Sequence, residues 1–194
     1  IEQTANEVGM DMQVFTGEQL DRLRITSVNN LTAIVPSLTL TQSYQGVPAY
    51  TLRGIGFNAV NMSATSTVGV YLDEVAYPYP VLNAGPIFDM QRVEVLQGPQ
   101  GTLFGRNATG GLVHFITKKP TQELDGYVMG TVGDYDKYGV EGAVGGGNDW
   151  VSARFAGVIN NADGYIDNFF PGEGELNNAN DESYRAQVLF TPME

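Results

Sequence analysis

Three segments in the second half of this 194-residue chain alternate between apolar and polar residues. Each alternation lasts about ten residues, the length at which a tilted β-strand crosses a bilayer. A fourth segment, 126–132, alternates less clearly. The apolar positions are Tyr138, Val140 and Val144, then Val151, Ala153, Phe155 and Ile159, then Tyr184, Ala186, Val188 and Phe190. The pattern predicts antiparallel strands, either in a soluble sheet or in an outer-membrane barrel.

The connections between these strands differ in length. The first connection, GDYDK, is of moderate length, and the second, GGGND, is a tight turn. The third connection, 161–182, is long and acidic. Short turns on one side and longer loops on the other match a barrel, although a soluble antiparallel sheet would show the same alternation. Four strands cannot close a barrel, because small barrels already need about eight. In the barrel interpretation the chain is therefore expected to be a fragment.

Charge also divides the chain. Residues 1–120 carry 9 acidic and 7 basic side chains, whereas residues 121–194 carry 13 acidic and 3 basic ones, so the net charges are −2 and −10. This change predicts a boundary near Pro120. A net charge of −12 makes binding to nucleic acid unfavourable, because phosphate is repelled. No apolar run is long enough for a transmembrane helix, and any export signal is expected to have been removed or to lie upstream of Ile1.

The first half has the pattern of a mixed α/β fold. Thr16 is predicted to cap one helix, and Ser27 a second helix that carries Ile34 and Val35 and stops at Pro36. Short strands are predicted at 38–41, 49–53, 68–75, 92–96 and 112–117.

A glycine-rich stretch, VEVLQGPQGTLFGRNATGGLVHFITKKP, spans Val93 to Pro120. It is not a phosphate-binding loop, because neither the Walker spacing nor the dinucleotide fingerprint is present and GGLVHFIT predicts a strand. The glycines instead predict tight turns around a compact loop. These glycines are Gly98, Gly101, Gly105, Gly110 and Gly111.

This stretch, with LRGIG and VGVYLDEV upstream, closely resembles the plug-domain signature of TonB-dependent outer-membrane receptors. The segment after Pro120 resembles the first barrel strands of that family. The resemblance covers nearly the whole chain. It implies an α+β plug domain at 1–120, followed at 121–194 by the first four antiparallel strands of a transmembrane β-barrel with about 22 strands.

The same resemblance implies TonB-dependent transport of a scarce nutrient, most commonly a ferric siderophore, across the outer membrane of a Gram-negative bacterium. The implied partners are TonB, through a segment upstream of Ile1, the nutrient itself and outer-membrane lipid. No cofactor, resident metal or catalysis is implied. Two alternatives stay open from the residues alone, a soluble β-rich protein that binds a carbohydrate or an anion, and a phosphate-binding enzyme. No catalytic group of residues is visible, and a nucleophilic triad in particular is unfavoured, because the chain has one His, no Cys and no G-x-S-x-G motif.

The family's motifs also imply roles for individual residues. Arg53, Glu94 and Arg106 match charged positions that seat the plug against the barrel wall, with ordinary surface ion pairs as the alternative. His114 and Met90 are interpreted as packed residues. The residues expected to contact the substrate lie in loops on the outward side, although they could instead pack against the barrel wall; they are Tyr44, Asn58, Asn61, Tyr77 and Tyr79.

Overall fold

The computed structural model describes residues 11–42, 48–56, 66–83, 85–104, 108–166, 176 and 178–192. The chain divides between Lys118 and Lys119 into two compact units. The strands of the first unit are β1 (Met12–Thr16), β2 (Leu38–Gln42), β3 (Pro48–Leu52), β4 (Ile55–Gly56), β5 (Val68–Leu72), β6 (Val75–Ala76), β7 (Met90–Gln97) and β8 (Gly111–Thr117).

The larger sheet of the first unit has five strands in the order β1-β7-β8-β5-β6. Neighbouring strands are antiparallel except β5 and β8, which run parallel. Strands β2, β3 and β4 form a separate antiparallel sheet. The sequence analysis did not predict β1, β4 or β6. Its prediction of a single strand over 68–75 was wrong, because this segment forms the two strands β5 and β6. The chain turns back at Asp73, whose φ of 52° lies in the left-handed region that Asp tolerates.

Three short helices belong to the first unit, α1 (Gly17–Arg22), α2 (Val28–Leu31) and α3 (Gly101–Phe104), with a 3₁₀ turn at Pro80–Asn83. The predicted cap at Thr16 is confirmed, since its hydroxyl accepts a hydrogen bond from the Gln19 N–H at 3.3 Å. The second helix is shorter than predicted. Ile34 and Val35 lie beyond its end: the N–H groups of Ala33 and Ile34 bond to carbonyls three residues earlier, as in a 3₁₀ turn, and Pro36 disfavours helical geometry in Val35. None of the described helices has both the length and the apolarity to cross a membrane.

The main core lies on one face of the five-stranded sheet. Val93, Val95 and Val113 are fully buried there, against apolar residues of α1, α2 and β3. Burial of such a side chain contributes about 1.5 to 3 kcal/mol. The opposite face carries a smaller cluster, in which Leu96 and Leu112 pack with residues of and around α3. The sequence predicted only a compact loop within the glycine-rich stretch. In the structure, part of that loop forms the single helical turn α3.

The second unit is a four-stranded antiparallel meander of β9 (Asp125–Val132), β10 (Tyr138–Gly147), β11 (Val151–Ala162) and β12 (Ala179–Phe190). The predicted strands are thus confirmed. The predicted limits of the long connection, 161–182, were wrong, because Asn161 pairs with Asn180 and the strands continue to Ala162 and Ala179. Backbone pairing does not require apolar side chains, so the ladder extends past the alternating pattern.

The two faces of this meander differ in polarity. One face, called here the outer face, carries mainly apolar residues and glycines from all four strands. Between the Val151–Phe190 pair and the Gly157–Tyr184 pair, none of its described positions has a charged side chain. Most of its large side chains are exposed; they are Val128, Val132, Tyr138, Val140, Val144, Phe155, Tyr184, Val188 and Phe190. The opposite, inner face carries polar and charged residues that are largely buried, among them Glu141, Ser152 and Arg154. This is the reverse of a soluble sheet.

Residues 121–194, expressed alone in buffer without detergent, are expected to aggregate. An exposed apolar face and the edges of β9 and β12 both favour association with other copies. Size-exclusion chromatography with light scattering, in buffer and in detergent, measures this. A monodisperse soluble monomer that unfolds cooperatively would contradict the assignment of the outer face to lipid.

Candidate functional site

A hydrogen-bonded cluster joins β7, β8 and the turn between β5 and β6. Glu94 and His114 face each other across β7 and β8. His114 Nδ1 lies 3.5 Å from Glu94 Oε2, and Arg92 Nε donates to Glu94 Oε1 at 2.7 Å. On its other side, His114 Nε2 bonds to the backbone carbonyl of Asp73. The side chains of Glu94 and His114 are only 19% and 17% exposed, so the cluster is largely shielded from water.

Asp73 fixes the β5–β6 turn to β8 at further points. Its N–H donates to the Phe115 carbonyl at 2.7 Å. Its carboxylate accepts from the Thr117 N–H at 2.9 Å and from the Thr117 hydroxyl at 3.0 Å. The turn and the sheet therefore move as one body as long as these bonds hold.

The cluster shifts the acidity of both its central groups. The hydrogen bond from His114 lowers the pKa of Glu94; burial opposes this, and the bond from Arg92 adds to it. Burial of the imidazole works against its charged form, but hydrogen bonds to Glu94 and to the Asp73 carbonyl outweigh burial and raise the pKa of His114. The interpretation of His114 as merely packed was therefore incomplete, since both ring nitrogens have polar partners.

The predicted seating residues have different partners within the first unit. Arg53 lies in the two-residue turn between β3 and β4, with φ of 53°, and Gly54 follows with φ of 78°, as a hairpin turn of this kind requires. Its guanidinium lies 3.6 Å from the Asp11 carboxylate, and both side chains are about half exposed. Glu94 instead belongs to the cluster described above. Arg106 lies outside the described residues, and a role for all three in seating stays a prediction.

The predicted turn glycines are constrained in different ways. Gly98 and Gly111 have φ of 91° and 135°, backbone geometry that favours glycine. Gly110 is limited by space instead, because a Cβ there would lie 3.1 Å from Ile55. Gly101 begins α3 with open space around it, and Gly105 lies outside the described residues.

Of the predicted ligand residues, Tyr77 and Tyr79 are described, whereas Tyr44, Asn58 and Asn61 lie outside the described residues. Tyr77 follows β6, and its N–H donates to the Val70 carbonyl at 2.8 Å. The ring of Tyr77 is half-buried, and Tyr79 is 43% exposed. The 3₁₀ turn that follows is held to β3, since the hydroxyl of the buried Tyr50 donates to the Asn83 carbonyl at 3.3 Å. The pair thus lies on a segment anchored at both ends.

Sequence reasoning missed the polar network on the inner face of the second unit. Arg154 Nη1 donates to Asp125 Oδ2 at 3.0 Å although its side chain is only 1% exposed. The two residues lie on β11 and β9, and Gly145 lies between them on β10, so the arginine can cross over a strand without a side chain in its path. Tyr127 donates to Glu141 on the same face. The sequence did contain a signal for this network, because these charged residues all occupy the polar positions of the alternating pattern.

Among the described residues, no three His, Cys, Asp or Glu side chains come together as a metal site. Residues 4–112 match the family described as TonB-dependent Receptor Plug Domain. The chain belongs to the TonB-dependent receptor family. The predicted family is thereby confirmed, the soluble alternative is not favoured, and the family is one of receptors, not of enzymes.

Relatives of this TonB-dependent receptor chain share moderate identity with it. The pesticin receptor of Yersinia pestis is 30% identical over 139 residues, which cover 70% of this chain and 20% of that receptor. The ferric-pyoverdine BN7/BN8 receptor of Pseudomonas putida is 25% identical over 138 residues, which cover 70% of this chain and 16% of that receptor. The chain thus spans about a fifth of the length of these relatives.

The fold is also found in solved structures. The ferric yersiniabactin uptake receptor of Yersinia pestis superposes with a TM-score of 0.87 at 23% identity, over 98% of this chain and 30% of that one. The match extends over both units, so the predicted fold class, an α+β plug followed by antiparallel strands, is confirmed.

Proposed function

We propose that this chain is the plug and the first four barrel strands of a receptor that imports an iron chelate across the outer membrane of a Gram-negative bacterium. In this proposal residues 1–120 form the plug and residues 121–194 the strands. The observation that carries it is the combination, in one chain, of a family-matched plug with a sheet whose outer face is apolar. Import would depend on TonB, bound through a segment upstream of Ile1.

The dimensions of the outer face support a position in lipid. On β11 the apolar positions run eight steps, from Val151 to Ile159, and cover roughly 27 Å of strand, or about 21 Å across a bilayer at a tilt of about 40°, slightly less than the apolar band of known outer-membrane barrels. On β12 the same face is apolar from Phe190 to Tyr184 and becomes charged at Glu182, the partner of Ile159. Aromatic side chains lie near both limits of this band. Trp150 and Phe190 are exposed at one end, and Tyr138 and Tyr184 toward the other. Such aromatic residues are typical of the two membrane interfaces.

An iron chelate is the proposed cargo because of what the relatives bind. The names of the ferric-pyoverdine receptor, the ferrioxamine receptor of Yersinia enterocolitica and the ferric yersiniabactin uptake receptor each contain an iron chelate. Tyr77 and Tyr79, with Tyr44, Asn58 and Asn61, are proposed to contact it from the plug. A tyrosine offers an apolar ring and a hydroxyl, which suits a bulky polar chelate.

Uptake by intact cells tests this function. A strain without the full-length receptor, supplied with radiolabelled iron as ferric yersiniabactin, ferric pyoverdine or ferrioxamine, is expected to lose uptake of at least one chelate. The cloned receptor should restore it only in cells that also have TonB. Normal uptake of all three chelates without the receptor would exclude them as cargo, and uptake restored without TonB would contradict the coupling.

Substitution of Tyr77 and Tyr79 together by Ala, in the full-length receptor, is expected to weaken binding of the transported chelate at least about fivefold, or about 1 kcal/mol. The loss should follow from the missing ring contacts, with TonB binding unchanged. Tyrosine fluorescence or calorimetric titration of the purified receptor measures the affinity. Tyr138→Ala is the matched control, because that ring lies on the outer face of β10. Equal affinity in the double variant, with an intact plug, would place the contacts elsewhere.

A further inference from the structure

The ring of His114 lies between two groups that can only accept hydrogen bonds. Its Nδ1 faces the Glu94 carboxylate at 3.5 Å, and its Nε2 bonds to the Asp73 carbonyl. Neither oxygen carries a hydrogen, since Glu94 is ionised through its bonds to His114 and Arg92. A neutral imidazole has one N–H and could satisfy one of these acceptors. Only the doubly protonated ring donates to both.

We propose that His114 is held as an imidazolium and acts as a positioning residue, clamping the β5–β6 turn onto β8, so that the placement of the segment carrying Tyr77 and Tyr79 depends on one proton. This clamp is defined here as the bonds of His114 to Glu94 and Asp73. Its relevance to chelate binding rests on the proposed function, whereas the clamp itself does not.

The groups around the ring favour its charged form. From β7, the Glu94 carboxylate attracts the charge, and Arg92 repels it but is bonded to Glu94 at 2.7 Å. From the turn, Asp73 presents its carbonyl, while its carboxylate is bonded to Thr117. Among the described residues, two aromatic side chains also lie beside the ring: Tyr71 on β5 and Phe104 on α3, each with its centroid 6.3 Å from the imidazole. Both rings lie at steep angles to the imidazole, and their apolar surface reduces its contact with water.

The clamp holds a segment that leads directly to the proposed ligand residues. Asp73 begins the turn, β6 pairs with β5 for only two residues, and the N–H of Tyr77 bonds to Val70. With so short a ladder, the bonds of Asp73 to β8 provide much of what fixes this segment. Loss of the His114 proton leaves one N–H for two acceptors, so the ring gives up its contact with Glu94 or its bond to Asp73, while the bonds of Asp73 to Phe115 and Thr117 remain. The segment is therefore expected to loosen but not to unfold.

The pH range of the clamp follows from the direction of the two shifts. The raised pKa of His114 means that its contribution is present at low pH and is lost as pH rises through that pKa. The lowered pKa of Glu94 means that its contribution is present at higher pH and is lost as pH falls through that pKa. The clamp is complete between these two limits.

Hydrogen exchange followed by mass spectrometry, on the full-length receptor in detergent, tests the clamp without any ligand. After correction for the intrinsic pH dependence, peptides covering 68–79 should exchange at least about tenfold faster near pH 8.5 than near pH 6, the change expected for one charge-assisted hydrogen bond. Peptides covering α1 should show no such change. Glu94→Gln should move the transition to lower pH, since the attraction on the imidazolium is lost.

Two variants separate the clamp from general stability. His114→Gln should exchange equally fast at both pH values, because an amide does not titrate. Glu74→Gln is the matched control: it removes a carboxylate from the same turn, but an exposed one outside the cluster, and should keep the wild-type profile. A wild-type profile without pH dependence would overturn the clamp, as would the same dependence in His114→Gln. Neither outcome would contradict the proposed iron uptake, and a negative uptake result would not contradict the clamp.

Discussion

Gly111→Ala is expected to lower the free energy of unfolding of the first unit by more than about 3 kcal/mol. At φ of 135° an alanine is strained, which alone costs on the order of 1 to 3 kcal/mol. The added Cβ would also lie 2.3 Å from the Leu96 carbonyl and 2.4 Å from the Leu52 side chain. The first of these is backbone of the neighbouring strand β7, so the β7–β8 pairing itself must shift.

Substitutions at two other glycines distinguish the cost of backbone strain from the cost of steric overlap. Gly98→Ala adds a side chain at φ of 91° with open space around it, so only the strain of about 1 to 3 kcal/mol is expected. Gly101→Ala adds one in open space at the start of α3 and should be neutral or slightly stabilising. Urea titration of the full-length receptor, read out by protease resistance of the plug, measures all three. Equal stability of the Gly111 and Gly101 variants would contradict the close approach of β7 and β8.

Phe155→Arg, in the full-length receptor, is expected to cost about 2 to 4 kcal/mol of stability in a bilayer. Phe155 is midway along the apolar positions of β11 and exposed on the outer face, so its replacement places a charge at the centre of the lipid. Val151→Arg and Ile159→Arg lie toward the two interfaces and should cost about 0 to 1 kcal/mol each.

Unfolding by urea of the receptor in lipid vesicles measures this series. The depth dependence is the decisive feature, because a soluble sheet would tolerate arginine about as well at the exposed Phe155 as at the exposed Ile159 and the partly exposed Val151. Thr191→Arg, at an exposed position just beyond the end of β12, serves as a control with the same added charge outside the apolar band. A flat series would contradict the lipid-facing position of the outer face.

Local sequence chemistry predicted the elements that depend on nearby residues. The strand at Gly111–Thr117 follows from its β-branched and aromatic run, and the cap at Thr16 follows from the residue three positions later. The strands of the second unit follow from their alternation. Strands β4 and β6 could not be predicted in this way, because two residues carry no periodicity and their pairing is set by the turns at Arg53 and Asp73.

The cluster around His114 shows what a sequence leaves open. Glu94 and His114 are twenty positions apart, and only the register of β7 against β8 places them opposite each other. The contact with Asp73 needs the parallel pairing of β5 with β8, a long-range feature that no local pattern encodes. Resemblance to a family pointed to Glu94 as a residue that seats the plug against the barrel wall, and this role stays a prediction. Its partners within the first unit, Arg92 and His114, came only from the fold.

The place of β1 at the edge of its sheet determines how the first unit responds to mechanical force. Among the described residues, tension applied upstream reaches Asp11 first, and Asp11 is held by an exposed ion pair to Arg53 and by a bond from the Gln97 N–H at 2.9 Å. An exposed ion pair contributes under about 1 kcal/mol, so this attachment is weak. Strand β1 pairs only with β7 in the described sheet, and its detachment breaks neither the β7–β8 nor the β5–β8 ladder. In the proposed function, a pull from TonB would therefore detach strand β1 before it disturbs the centre of the described sheet.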